Sequence, residues 1–71
     1  MYSIEVCGAR NGKKIEELGP FGTMPAARQG ILDHADIVDL PKEVPYFAPE
    51  INVIEGWIIG KHDYQIMLAA R

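Results

Sequence analysis

The chain begins with an alternation of apolar and polar residues. Tyr2, Ile4 and Val6 are apolar, and Ser3 and Glu5 separate them. Successive side chains of a strand point to opposite faces, so a period of two is typical of a strand with one buried face. The pattern therefore predicts a first strand whose three apolar side chains face the core.

A turn signal follows this strand. Asn11 and Gly12 form the pair that most strongly favours a tight hairpin, because both central positions of a type I′ turn need positive φ. The chain is predicted to double back and to form a second strand over residues 14–18. A single helical turn is the alternative for this segment, but Pro20 excludes a longer helix.

A helix is predicted after a loop at residues 19–22. Thr23 is a good N-cap residue, and Pro25 stands near the first helical position, where its missing N–H costs nothing. Apolar residues then recur at helical spacing: Met24, Ala27, Ile31, Leu32 and Ala35. This stripe is expected to pack on the sheet. Gly30 lowers the stability of the helix by about 1 kcal/mol relative to alanine. Its presence indicates either that a neighbouring segment approaches the helix backbone closely or that the helix is weak.

The segment after the helix is divided by prolines. Residues 37–40 are predicted to form a short strand that ends at Pro41. Residues 42–50 contain two further prolines, which restrict φ and remove backbone donors. This part of the chain is expected to be an extended, irregular loop.

A second hairpin is predicted at the end of the chain. Residues 51–59 are rich in β-branched and aromatic side chains, which favour a strand, and residues 64–68 return after a turn at 60–63. The predicted fold is α+β, with an antiparallel sheet of about four to five strands and one helix on one face. Residues 1–71 are expected to form one domain.

Glu55 is unusual because it lies among apolar residues of the third long strand. If it is buried, it needs a partner, or its pKa rises. In the favoured interpretation, the side chains of Glu55 and Trp57 point towards solvent or an interface. The side chains of Ile54 and Ile58 then point towards the core.

Composition limits the class of protein. A chain of 71 residues buries only about 60% of its unfolded surface. The 48% hydrophobic content excludes a disordered tail. A single cysteine, Cys7, excludes an intramolecular disulfide and favours a reducing compartment. The chain has neither a signal peptide pattern nor the roughly 20 apolar residues of a membrane span, so we expect a cytoplasmic protein without membrane partners.

Charge is distributed unevenly along the chain. The net charge is −3, and residues 33–55 hold six acidic side chains against Lys42 alone. This acidity makes direct nucleic-acid binding unlikely and can attract a basic partner. The alternative is an ordinary solvated surface. Nucleic-acid binding would require the basic residues of the N-terminal part to gather on one side: Arg10, Lys13, Lys14 and Arg28.

Candidate catalytic and metal-binding residues are few. Apart from Cys7, they lie in two short runs, namely Asp33, His34 and Asp36, and then His62 and Asp63. Their spacing does not match a zinc site, so no metal or cofactor is predicted. Cys7 could act together with a histidine only if the fold brings the two side chains close to each other. Any chain with two histidines allows such an arrangement, so it gives this hypothesis almost no support. A small oligomeric enzyme or ligand-binding domain that uses Cys7, His34 or His62 therefore stays as the alternative function.

Surface recognition is the function that the sequence favours over catalysis. Tyr46 and Phe47 stand between prolines that stiffen their segment, and aromatic residues dominate interface hot spots. Acidic neighbours would suit a basic partner. The predicted partner-binding residues are Glu43, Tyr46, Phe47, Glu50, Glu55 and Trp57. The protein is expected to be an inhibitor or accessory subunit, as in phages and mobile elements, with a possible homodimer through an edge strand. Alternatively, the aromatic residues complete a small core.

Overall fold

Four antiparallel strands and one helix make up the part of the chain that the structure describes. A computed structural model describes residues 1–42 and 53–68. The elements in chain order are β1 (Tyr2–Gly8), β2 (Lys14–Phe21), α1 (Met24–Ala35), β3 (Val53–Ile59) and β4 (His62–Leu68). The strand order is β2-β1-β4-β3, so each hairpin contributes one central and one edge strand. The predicted α+β fold with two hairpins and one helix is confirmed.

The first turn lies where the sequence predicts it but has a different geometry. Gly12 has a φ of 69°, whereas Asn11 has no positive φ, so the turn is not type I′. The side-chain Oδ1 of Asn11 instead accepts a hydrogen bond from the Lys13 N–H at 2.9 Å. The Gly8 N–H donates to the Lys13 carbonyl at 2.9 Å, which closes a wider loop.

Strand β2 is longer than predicted. It continues through Gly19 and Pro20, which are joined by a cis peptide bond, as far as Phe21, so the predicted loop at 19–22 is wrong for its first three residues. Proline is tolerated there because β2 is an edge strand, on which a missing N–H need not break the ladder. Leu18 and Phe21 pack against the core.

Helix α1 starts as predicted. The Thr23 side chain accepts a hydrogen bond from the Ala26 N–H at 3.2 Å and so caps the helix. Asp36 ends it in the left-handed conformation, with a φ of 57°. The Ile37 N–H then donates to the Leu32 carbonyl at 3.0 Å. The predicted strand at 37–40 is wrong, because its first amide closes the helix instead of pairing with the sheet.

The core lies between α1 and one face of the sheet. Six residues there are 0% exposed: Ile4, Val6, Ala27, Ile31, Tyr64 and Ile66. Tyr2, Met24 and Ala35, which the alternation and the helical spacing also predict to face the core, pack against this layer. Within the described residues, no helix is long and apolar enough to cross a membrane.

The other face of the sheet carries no helix in the described part of the chain. Alternation along β1 and β4 directs every second side chain to it, and the paired residues Cys7 and Asp63 lie there. We call it the open face, and it contains Glu5, Cys7, Lys14, Glu17, Ile58, Asp63, Gln65 and Met67.

The orientation of β3 is the reverse of the favoured interpretation. Glu55 is only 7% exposed, whereas Ile54 is 37% and Ile58 is 53% exposed. The register shifts between Val53 and Glu55, so one extra residue lies in β3 at this point. The expectation that the two isoleucines face the core is therefore wrong.

Candidate functional site

Two of the six predicted partner-binding residues lie in the described part of the chain. Glu43, Tyr46, Phe47 and Glu50 fall outside the described residues. Glu55 and Trp57 both lie on β3. The described part of the predicted surface therefore lies on β3.

Glu55 is held inside the molecule by Arg28 of α1. Arg28 Nη2 lies 2.7 Å from Glu55 Oε1, and Nε lies 3.0 Å from Oε2. This two-point contact lowers the pKa of Glu55, against the effect of burial, and the indole N–H of Trp57 lowers it further. Glu55 thus joins the helix to β3, and its carboxylate is already engaged within the chain.

Trp57 supports the same contact. Its Nε1–H donates to Glu55 Oε2 at 2.6 Å, and its ring, which is half-buried, packs against the core. Trp57 pairs with Tyr64 in the register of β3 and β4. The tryptophan therefore contributes to the core, and its remaining exposed part lies at the edge of the sheet.

The outer edge of β3 and its two exposed isoleucines form an apolar surface. Within the described residues, β3 pairs with β4 on one side only. An unpaired strand edge presents backbone N–H and C=O groups that another strand can bind. Ile54 and Ile58 add exposed apolar area beside these groups. We call Ile54, Ile58 and the outer edge of β3 the β3 surface.

Acidic residues occupy the middle of the open face. Glu5 and Glu17 lie opposite each other on β1 and β2, and Lys14 Nζ is 2.8 Å from Glu17 and 3.9 Å from Glu5. Asp63 Oδ2 accepts a hydrogen bond from Gln65 at 3.2 Å. Glu5 and Glu17 thus share one ammonium group and Asp63 adds a third carboxylate, so this part of the open face has net negative charge. The other Asp63 oxygen, Oδ1, is buried without a partner among the described residues.

Cys7 lies on the open face, away from both histidines. It is buried, and burial raises the pKa of its thiol, as do the nearby charges of Glu5 and Asp63. A raised pKa disfavours the reactive thiolate. His34 lies on the helix side of the sheet, so the structure separates it from Cys7.

His34 links three elements on the helix side. Its Nε2 lies 2.7 Å from Glu16 Oε2 on β2, and its Nδ1 lies 2.8 Å from the Tyr64 hydroxyl on β4. Since a carboxylate only accepts, Nε2–H donates to Glu16, and in the neutral ring the Tyr64 hydroxyl then donates to Nδ1. His62 packs edge-on, with its ring 5.8 Å from that of His34. Burial raises the pKa of Tyr64.

This histidine cluster has the geometry of a structural contact. Tyr64 is 0% exposed, and both ring nitrogens of His34 are occupied within the chain. Among residues 1–42 and 53–68, no group of three potential ligands could hold a metal ion. The sequence contained no signal for the contact between Glu16 and His34, because it depends on how α1 crosses β2.

The β3 surface is therefore the strongest candidate site in the described part of the chain. No family model, curated protein or solved structure matches this chain.

Proposed function

We propose that this protein is a small protein-binding module that acts as an accessory subunit or inhibitor through the β3 surface. The observation that carries the proposal is the apolar character of an edge strand. Ile54 and Ile58 are exposed there, and the one acidic side chain of the strand, Glu55, is turned inward.

A comparison of the two edges supports this assignment. Natural edge strands avoid unwanted pairing by carrying charged residues and proline. The other edge, β2, follows this rule and contains Lys14, Glu16, Glu17 and Pro20. Strand β3 contains neither lysine nor proline. Of the two edges in the described part of the chain, β3 alone is thus unprotected by its own sequence, as expected of a binding edge.

The partner is proposed to be a protein with an apolar strand and basic side chains. An added strand would pair with the β3 backbone, while its apolar residues cover Ile54 and Ile58. Basic residues next to that strand would face the carboxylate of Asp63 on β4, the strand beside β3.

The predicted aromatic residues belong to the same proposal. Phe47 precedes Val53 by six residues, so the chain keeps it within about 20 Å of the start of β3. Tyr46 and Phe47 are proposed to extend the contact, and Glu43 and Glu50 to add acidic groups for the basic partner.

A second copy of the chain is the main competing partner. Two β3 edges could pair antiparallel and join the two sheets into one. The enzyme alternative has less support, since Cys7 and His34 lie on opposite faces of the sheet.

Affinity capture with matched variants tests the proposal. Ile58→Ser and Ile54→Ser remove apolar contacts from the β3 surface, and Val38→Ser makes a similar change at a site that is 86% exposed and lies after α1. Wild type and Val38→Ser are expected to retain the same partner, and the two β3 variants are expected to lose it. Higher salt should weaken capture, because the proposed contact includes charges.

Circular dichroism and light scattering accompany the capture. All variants must be folded for a loss of binding to count. Equal capture by wild type and both β3 variants would contradict the proposal, as would an equal loss with Val38→Ser. If wild type is a dimer and Ile58→Ser is a monomer, the β3 surface is still the binding surface, but its partner is a second copy of the chain and not another protein.

A further inference from the structure

A cleft lies at the end of the sheet where two turns meet. The Ala9 N–H, in the turn after β1, donates to the Lys61 carbonyl, in the turn after β3, at 2.9 Å. Between the two turns is a cleft of about 520 Å³. Its lining residues are Gly8, Ala9, Arg10, Asn11, Gly60 and Lys61. The volume lies in the range of small-molecule sites, which is about 300–1,000 Å³.

The charge of this cleft is opposite to that of the chain as a whole. Arg10 and Lys61 line it, and no acidic side chain of the described residues does. Lys13 lies in the same turn as Arg10 and is also exposed. In the ranges 1–42 and 53–68, none of these three cations forms a salt bridge, whereas Lys14 and Arg28 are each paired with a glutamate.

The pairing of Lys14 and Arg28 also decides where positive charge is available. Lys14 is held by Glu17 on the open face, and Arg28 is held by Glu55 on the helix side. The four basic residues of the N-terminal part therefore do not gather on one side. Among the described residues, three unpaired cations, Arg10, Lys13 and Lys61, instead lie at one end of the sheet, around the cleft.

The backbone of the first turn is held in place by its own hydrogen bonds. The Gly12 N–H donates to the Gly8 carbonyl, and the Lys13 N–H donates to Asn11 Oδ1, both at 2.9 Å. A Cβ atom on Gly8 would lie 2.6 Å from Asn11 Oδ1, so glycine is needed for the asparagine to fold back. The cleft is therefore largely preformed, which reduces the entropy lost on binding.

We propose that this cleft binds the phosphate group of a small phosphorylated ligand. The guanidinium of Arg10 can contact two phosphate oxygens at once, and the ammonium groups of Lys13 and Lys61 add charge that a dianionic group balances. This site lies at the sheet end, whereas the β3 surface lies along an edge, so the two proposals are independent.

Nuclear magnetic resonance titration tests the proposed site. Inorganic phosphate and then pyrophosphate are added to the ¹⁵N-labelled full chain at an ionic strength kept constant with sodium chloride. Saturable shifts are expected for the amides of residues 8–13 and 60–62, with tighter binding of pyrophosphate. Arg10→Gln and Lys61→Gln are each expected to weaken binding about fivefold or more, through loss of a charge-assisted contact.

Two further variants separate shape from net charge. Lys42→Gln removes one positive charge elsewhere and should leave the affinity for pyrophosphate unchanged. Gly8→Ala keeps every charge but displaces Asn11, so it should weaken binding while the amide shifts of the core strands stay in place. An equal loss with Lys42→Gln, or full affinity in Gly8→Ala although the amides of the turn have shifted, would overturn the proposal.

A short thymidine oligonucleotide distinguishes a free phosphorylated ligand from a nucleic-acid backbone. The proposal expects phosphate and pyrophosphate to saturate the site and the oligonucleotide to bind no more tightly than pyrophosphate. Non-saturating shifts spread over the surface would overturn it. Saturable binding of the oligonucleotide alone would also overturn it and would assign the cleft to phosphodiesters.

Discussion

At the residue scale, the contact between Glu55 and Arg28 connects the sequence to the orientation of β3. A carboxylate on the helix-facing side of a strand is costly unless it is paired. Arg28 reaches it with two hydrogen bonds, and Trp57 donates a third. Because Glu55 is paired with Arg28, it can face α1 from β3, and Ile54 and Ile58 remain exposed.

Replacing Arg28 tests this role. Arg28→Met keeps the aliphatic part of the side chain but leaves the buried Glu55 carboxylate without its main partner. The free energy of unfolding is expected to fall by about 1–3 kcal/mol, towards the lower end because the Arg28 side chain is partly exposed to water. Urea unfolding measures the change, with Lys42→Met as a matched control. Glu55→Gln in the Arg28→Met background should recover part of the loss, and a loss no larger than that of Lys42→Met would contradict this role.

The same pair predicts a pH dependence. The pKa of Glu55 is lowered in the folded state from its ordinary value of 4.5, chiefly by Arg28. Its contribution to stability is therefore complete above pH 4.5 and is lost as the pH falls through the lowered folded pKa. The stability difference between wild type and Arg28→Met should be larger at pH 7 than at pH 3. A difference that is constant or grows on acidification would be inconsistent with this pair.

At the element scale, the sequence predicted correctly those features that depend on residues close together in the chain. Thr23 caps α1, Gly12 supplies the positive φ of the first turn, and alternation in β1 predicts its buried face. The strand expected at 37–40 does not form, because the N–H of its first residue, Ile37, donates to the Leu32 carbonyl at the end of α1. The prediction of which β3 side chains face the core was wrong. That orientation depends on a register shift within β3 and on Arg28, which is distant in sequence.

Gly30 illustrates a packing constraint that helix propensity does not show. Propensity alone predicts that Gly30→Ala stabilises the helix by about 1 kcal/mol. In the structure a Cβ atom there would lie 2.6 Å from Phe21 Cζ, so the ring must move out of its packed position. We expect thermal unfolding to show a destabilisation of about 1–2 kcal/mol. Phe21→Leu should reduce the effect of Gly30→Ala, and a stabilising Gly30→Ala in the wild type would show that the ring is not constrained.

At the scale of the whole molecule, the sheet has two different edges and two different faces. Helix α1 covers one face, β2 is an edge with charges and proline, and β3 is an apolar edge. The sequence identified Trp57 as a residue of interest, but it could not show that β3 is an edge strand, since strand order depends on how the hairpins meet. The cleft between the two turns was unpredictable for the same reason.

Photocrosslinking at two positions tests the central claim that the β3 surface binds a protein. Benzoylphenylalanine replaces Ile58 in one variant and Val38 in another, and each folded variant is illuminated in a lysate of its native cells. The proposal predicts a discrete adduct with another protein at position 58 and none at position 38. No adduct at position 58, or the same adducts at both positions, would contradict it.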